Sequence, residues 1–225
     1  MNIIDIVIIF GLLLGGVAGA KNGFFKQTVV LVGTILCFIL SWYFKDFIAN
    51  FLSYNLPFFN FAGSFEGLTS LNIVLYQLIA FMLLMCLFSA ILAVLIKITG
   101  VFEKILKFTI ILGIPSKILG FIVGVAEAYI ILFTILFFVN QPAFNLEIVN
   151  ESKLATPIVE SSPVLSNVVG DMNDAIKGIY SVSKNYHENS DKNAFNKEVV
   201  DLLLEHNVID NEYLNKLREK GKINY

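Results

Sequence analysis

The stretch Leu112-Gly113-Ile114-Pro115-Ser116-Lys117, continuing as ILGFIVGVAEAYIILFTILFFV over residues 118–139, decides the fold. A glycine-proline turn with a lysine leads into an apolar run whose only charge is Glu127. About 20 such residues suffice to carry a helix across a hydrocarbon core, so 118–139 reads as a transmembrane span. Ser116, Gly120, Gly124 and Ala128 recur at every fourth position. On a helix that spacing makes a narrow, flat stripe against which another backbone can approach closely. Glu127 lies on roughly the same side, so a carboxylate sits beside the stripe.

The rest of the chain fits a bilayer as well. Of its 225 residues 56% are hydrophobic and 15% charged, and the mean hydropathy is +0.75. Soluble domains sit near a quarter charged, so this is a membrane composition. Residues 1–139 carry seven lysines and five acids, whereas 140–225 carry nine Lys/Arg and thirteen acids. The chain therefore divides into a four-span membrane domain at 1–140 and a polar, mildly acidic tail at 141–225. With a net charge of −2 and no dense basic run, nucleic acid is not an expected partner. Cys37 and Cys86 fall in separate apolar runs and read as buried packing residues, not as a disulfide or metal site.

Four spans are predicted, at about 3–20, 28–44, 71–96 and 118–139. The first could be mistaken for a signal peptide ending at Ala18-Gly19-Ala20, but no basic residue precedes it and Asp5 has the wrong charge for that role. It carries a second four-residue stripe: Gly11, Gly15, Gly19 and Gly23. Residues 21–27 form a hairpin to the second span, whose Ser41-Trp42-Tyr43 end is an interfacial anchor, with Lys45 and Asp46 marking the exit to water. Residues 47–61 are expected along the interface, followed by a solvated turn at 63–67. Between spans three and four, 101–111 mix Glu103, Lys104 and Lys107 with large apolar residues. That pattern suits either an amphipathic surface helix or an extension of span three.

Lysines set the orientation. Lys21 and Lys26 lie in the first connection, and Lys97, Lys104, Lys107 and Lys117 in the third, while the second offers only Lys45. The positive-inside rule places connections one and three in the cytoplasm and both termini outside.

In the tail, Pro157 and Pro163 with Ser161 and Ser162 are expected to keep the first part extended. Val164, Val168, Met172, Ile176, Ile179 and Tyr180 follow helical spacing. A polar linker at 183–192 precedes two short helices near 195–205 and 211–220, read as a small hairpin, with Asp210 as N-cap and Gly221 as stop. The fold class is thus an all-α membrane protein of four transmembrane helices with a C-terminal extramembrane, mostly helical tail.

No catalytic, cofactor-binding or metal-ligating constellation emerges. His187 and His206 stand in the tail without partners at ligand spacing, and Gly15-Gly16 and Gly19 lie inside a span rather than in the strand-to-helix setting a nucleotide fingerprint needs. The chain is therefore expected not to be an enzyme and to need no cofactor. The ionisable groups at membrane depth are Asp5, near the outer interface, and Glu127, midway along span four. An intramembrane carboxylate is by default a functional candidate. Glu127 could titrate along a transport path, bond to a polar residue of a neighbouring span, or be buried in a subunit contact; the structural hydrogen bond is preferred.

Taken together, several of these residues resemble the colicin V production protein (CvpA) family: Asp5 at the head of span one, Gly19-x-x-x-Gly23-Phe24-Phe25-Lys26 at the first hairpin, Thr99-Gly100 after span three, and Ser116-Lys117-Ile118-Leu119-Gly120-x-x-x-Gly124 entering span four. The match covers residues 1–140. Asn22 and Gln27 stand where that family usually has a basic and an acidic residue, and Glu127-Ala128 where it has a basic or neutral residue and glycine. The resemblance implies a multi-pass protein of the bacterial cytoplasmic membrane, associated with toxin production or export. The expectation is an assembly or scaffold component whose partners are the bilayer and a second copy or another membrane protein, with no small-molecule substrate indicated. The alternative is a small transporter or channel using Glu127.

Overall fold

The computed structural model describes residues 2–61, 67–99, 101–140, 151–185 and 191–225, with the backbone alone at 99, 101–112, 184 and 185. Helix α1 (Ile3–Asn22) opens on a reciprocal cap. The Asn2 side chain accepts the Ile4 N–H, and Asp5 accepts the Asn2 N–H at 2.9 Å, which satisfies two of the donors that a helix start leaves unpaired. A single residue, Gly23, separates α1 from α2 (Phe24–Asn55). Its φ of 77° with ψ of 163° is a conformation only glycine adopts readily, so the hairpin is sharper than the loop predicted at 21–27.

Helix α3 (Leu71–Thr99) and helix α4 (Val101–Val139) complete the bundle. Helix α4 is broken at Gly113, where φ is 47° and ψ −121°, and Pro115 follows two residues later. The glycine-proline turn therefore separates a first helical arm from the spanning part, whose start tolerates a proline because its N–H would be unpaired there anyway. The predicted amphipathic stretch at 101–111 is helical, but its faces lie outside the described residues. Ile3–Asn22, Phe24–Asn55, Leu71–Ile98 and Gly113–Val139 are each long and apolar enough to cross a membrane.

Helix α1 packs on α4, and α2 packs on both α3 and α4. The centre of the bundle is aromatic. Phe38 meets Phe81 and Phe133 edge-on at 5.4 and 5.8 Å, and Trp42 meets Phe81 and Phe137 at 5.5 and 5.8 Å, the geometry ring quadrupoles favour. Outward-facing side chains such as Phe10, Leu14, Leu36, Leu87 and Ile122 are apolar and exposed, as a lipid-facing surface requires.

Helix α2 corrects one expectation. It does not end at Phe44 with an interfacial segment at 47–61, but runs 32 residues to Asn55, about 48 Å. Lys45 does not mark its exit: the side chain is buried, its ammonium bonds Asp46 at 2.7 Å and lies 4.7 Å from the Trp42 ring centroid. With its charge answered locally, the lysine need not end the helix. The buried face of α2 contains a third stripe, Gly33, Cys37, Ser41, Lys45, Ala49 and Ser53. Gly33 admits Leu92 of α3, and Ser41 Oγ lies 4.0 Å from Met85 Sδ. Cys37 is buried as predicted, but Cys86 is exposed; both are free thiols.

The tail is less separate than its polarity suggests. It forms α5 (Ala155–Ser161), α6 (Leu165–Val168), α7 (Gly170–Asn185), α8 (Lys192–Glu205) and α9 (Asn211–Glu219). Residues 155–161 are helical and not extended, because Pro157 stands in the first turn, where its missing N–H costs no helical bond. Helix α8 pairs with α7, and α9 lies on α2, so the expected α8–α9 hairpin gives way to docking on the membrane helices. The cap and stop stand as read: the Asp210 side chain accepts the Tyr213 N–H at 2.7 Å, and Gly221 follows α9. His206 ends α8. The linker expected at 183–192 is shorter, since 183–185 continue α7 and Lys192 begins α8; residues 186–190, His187 among them, and 63–66 of the expected turn lie outside the described residues.

One core joins tail and bundle. Met172, Ile179, Leu203 and Leu217 belong to the same buried cluster as Leu71, Phe81 and Phe133. Along α3, Leu71 to Ala80 are almost all buried, whereas Leu83, Leu87, Ile91, Val94 and Leu95 are exposed. The first half of α3 thus lies in the core shared with the tail, with the Phe58 and Phe59 rings also against its Tyr76, and the second half is left to lipid. Asn196 of α8 fastens this contact, accepting the Ser70 N–H at 2.9 Å and hydroxyl at 2.8 Å while donating to the Gly67 carbonyl at 3.1 Å.

Candidate functional site

The two glycine stripes face each other within one chain. A Cβ built on Gly19 would overlap the Gly120 carbonyl oxygen and lie 2.8 Å from Gly124 Cα. One on Gly124 would overlap the Gly15 carbonyl and lie 2.8 Å from Gly19 Cα. Gly15 faces Ala128 and Gly124, Gly120 faces Gly19 and Gly23, and a Cβ on Gly11 would first meet the Leu132 side chain, at 3.4 Å. Helices α1 and α4 are therefore in backbone contact along Gly15–Gly23 and Gly120–Ala128, and the seam opens toward Gly11. Gly16, not part of the predicted stripe, receives the Phe121 ring, which would lie 2.5 Å from an added Cβ.

Ser116 belongs to this seam differently. It is fully buried, and its Oγ accepts the Phe24 N–H at 3.0 Å. Gly23 has no side chain with which to cap α2, so Ser116 supplies the capping oxygen from another helix. The hairpin motif and the α4 motif therefore complete one another.

Beside the seam runs a polar chain. Asn22 Nδ2 donates to Gln27 Oε1 at 2.8 Å, and Gln27 Nε2 donates to Glu127 Oε2. Gln27 is buried. The carboxylate that stood out in the sequence is thus held by α2, and a hydrogen-bonded polar group inside a bilayer escapes most of the cost of an unpaired one. Sequence reading located Glu127 but missed Gln27 and Asn22. Gln27 was read as the end of the hairpin at 21–27, but the structure makes it part of the first turn of α2.

At the other end of α1, Asp5 is buried and accepts three hydrogen bonds, from Ser152 Oγ at 2.6 Å, Leu154 N at 3.1 Å and Asn2 N at 2.9 Å. It joins the start of α1 to the start of the tail, so both lie at one end of the bundle. Tyr129 Oη, 2.5 Å from Ser162 Oγ, adds a second tie between α4 and the tail.

The seam, the cap at Ser116 and the Asp5 tie all fall within residues 4–163, the segment that matches the family described as Colicin V production protein. The chain belongs to the colicin V production protein family. This family member is also similar to the "Uncharacterized transmembrane protein YshB" of Bacillus subtilis (strain 168), with 28% identity over 180 residues, covering 75% of this chain and 96% of the relative. No solved structure matches it. The family segment ends at residue 163, beyond α5, so the Asp5–Ser152 tie lies inside it and α6 to α9 lie outside.

Proposed function

We propose that this protein is an assembly or scaffold component of the bacterial cytoplasmic membrane, acting in colicin V-type toxin production or export, with both termini on the outer side. The observation that carries this reading is the α1–α4 seam. Backbone contact along Gly15–Gly23 closes the bundle, and Asn22, Gln27, Ser116 and Glu127 bond to groups within it. The apolar outer faces and the tail are then the surfaces offered to lipid and to a protein partner. The lysine distribution supports the orientation, and the Asp5–Ser152 bond supports a tail on the same side as the N-terminus.

A second reading is a small transporter or channel. It is favoured by the row Asn22, Gln27 and Glu127, which steps from the lysine-flanked hairpin into α4. Reconstitution of the full chain in liposomes separates the two. The scaffold reading expects no proton or ion flux, together with copurification of a membrane partner that is lost when the tail surface is altered. Flux that disappears in Glu127→Gln would establish the transporter instead.

A further inference from the structure

A crevice lies where the outer half of α2, the first half of α3 and the turn before α9 meet, apart from the seam and the polar chain. Its volume is about 210 Å³, and its polar lining is Asp46, Asn50, Gln77, Asn207, Asp210 and Tyr213. Two of these residues are deeply buried: Gln77 is 1% exposed and Tyr213 3%. Gln77 Oε1 and Tyr213 Oη are buried side-chain atoms without a hydrogen-bond partner among the described residues. Native interiors rarely leave such atoms unpaired, and here an acceptor and a hydroxyl are orphaned at the same crevice. Burial pushes the Tyr213 phenol up from its ordinary value, so it stays a neutral O–H able to donate.

The rim is acidic. Lys45 answers Asp46 at 2.7 Å and Lys216 answers Glu212 at 2.6 Å, which leaves Asp210 as the charge excess of the crevice. Asp210 uses Oδ1 as the cap of α9. A divalent cation fits poorly, because hard cations gather several carboxylates and one of the two here already holds a lysine. The crevice has room for roughly seven waters at ~30 Å³ each, which suits a small organic ligand better than a bare ion. On α2 the exposed Tyr43, Phe47 and Phe51 carry an apolar face to the level of Asp46 and Asn50.

We infer that this crevice binds a small primary amine bearing a hydroxyl or ester oxygen, the chemistry of ethanolamine, either free or as a phospholipid headgroup. The ammonium donates to the Asp210 carboxylate and Gln77 Oε1, and the ligand oxygen accepts from Tyr213 Oη. A quaternary ammonium has no N–H to offer these acceptors and is excluded by the same chemistry.

The test uses the full chain in phosphatidylglycerol nanodiscs, titrated with ethanolamine or choline while Tm and binding heat are followed. The expected result is a saturable rise in Tm with ethanolamine and none with choline. Replacing part of the lipid with phosphatidylethanolamine gives the same rise without free amine if the headgroup is the source, and no rise if the soluble amine is. Asp210→Asn keeps the cap, since asparagine caps as well as aspartate, and should weaken amine binding about tenfold or more, as loss of a charge-assisted bond does. Gln77→Leu should weaken it similarly. Absence of a shift with both free ethanolamine and phosphatidylethanolamine overturns the inference. So does an equal shift with choline, or a shift unchanged in a folded Asp210→Asn protein.

Discussion

Ser116 Oγ accepts the Phe24 N–H at 3.0 Å across 92 residues of sequence. This bond joins the first residue of α2 to the start of the spanning part of α4, and it replaces the side-chain cap that Gly23 cannot provide. Ser116→Ala should lower stability by about 1 kcal/mol, the usual loss for a helix cap, read as a reduced Tm of the full chain in detergent. An unchanged Tm would mean that the orphan N–H finds another acceptor.

The seam predicts an asymmetry among glycines. Gly19→Ala drives a methyl into the Gly120 carbonyl and Gly124 Cα, and overpacking of this kind costs about 1–3 kcal/mol or more. Gly170→Ala meets nothing within 4 Å and should leave Tm nearly unchanged. Comparing the two melts separates backbone contact from a general demand for glycine.

The Gln27–Glu127 pair should behave as a coupled unit. Gln27→Leu strands the Glu127 carboxyl, and Glu127→Leu strands the Gln27 amide, so each single change destabilises. The double change removes both polar groups and should recover part of the loss, because an orphaned buried partner costs more than an absent pair. A double-mutant cycle with a coupling of roughly 0.5–3 kcal/mol is expected. Strict additivity would show that the two groups do not depend on one another.

Asp5→Ala removes the acceptor for Ser152 Oγ, Leu154 N and Asn2 N together. The start of the tail should then loosen from α1, and limited proteolysis should cut near residues 151–155 faster than in the parent. Asp5→Asn retains one acceptor oxygen and should fall between the two.

Tyr213 ties stability to alkaline pH. Its phenol is raised above the ordinary value of 10 by burial, so the folded state holds the proton more tightly than the unfolded chain. That contribution is fully present below about pH 10 and declines as pH rises beyond it. Tyr213→Phe removes an unpartnered hydroxyl, should be neutral or slightly stabilising at pH 7, and should reduce the loss of Tm between pH 10 and 11. Tyr225, also raised by burial and bonded to Thr69, keeps part of the decline in place.

Much of this architecture was legible in the sequence. Four apolar runs and two four-residue glycine stripes were enough for the helical membrane fold and for the surfaces on which α1 and α4 meet, because backbone approach needs small residues at helical spacing. What periodicity could not supply was the partner of each stripe. The α2 stripe escaped notice because Ser41, Lys45 and Ser53 do not read as hydrophobic, and the Lys45–Asp46 pair looked like an exit to water although the lysine folds back on Trp42. In the tail, a polar composition concealed a core. Met172, Ile179, Leu203 and Leu217 belong to one buried cluster with Leu71 and Phe81 of α3, a continuity that hydropathy along the chain cannot show.

The central claim is that the glycine stripes of α1 and α4 meet within one chain. Gly11→Cys and Leu132→Cys, introduced together after Cys37 and Cys86 are replaced by serine, place thiols at a point where a Cβ on Gly11 would lie 3.4 Å from the Leu132 side chain. Oxidation in membranes, followed by a non-reducing gel, should give an internally linked monomer with altered mobility. A disulfide-linked dimer, or no link at all, would contradict the account.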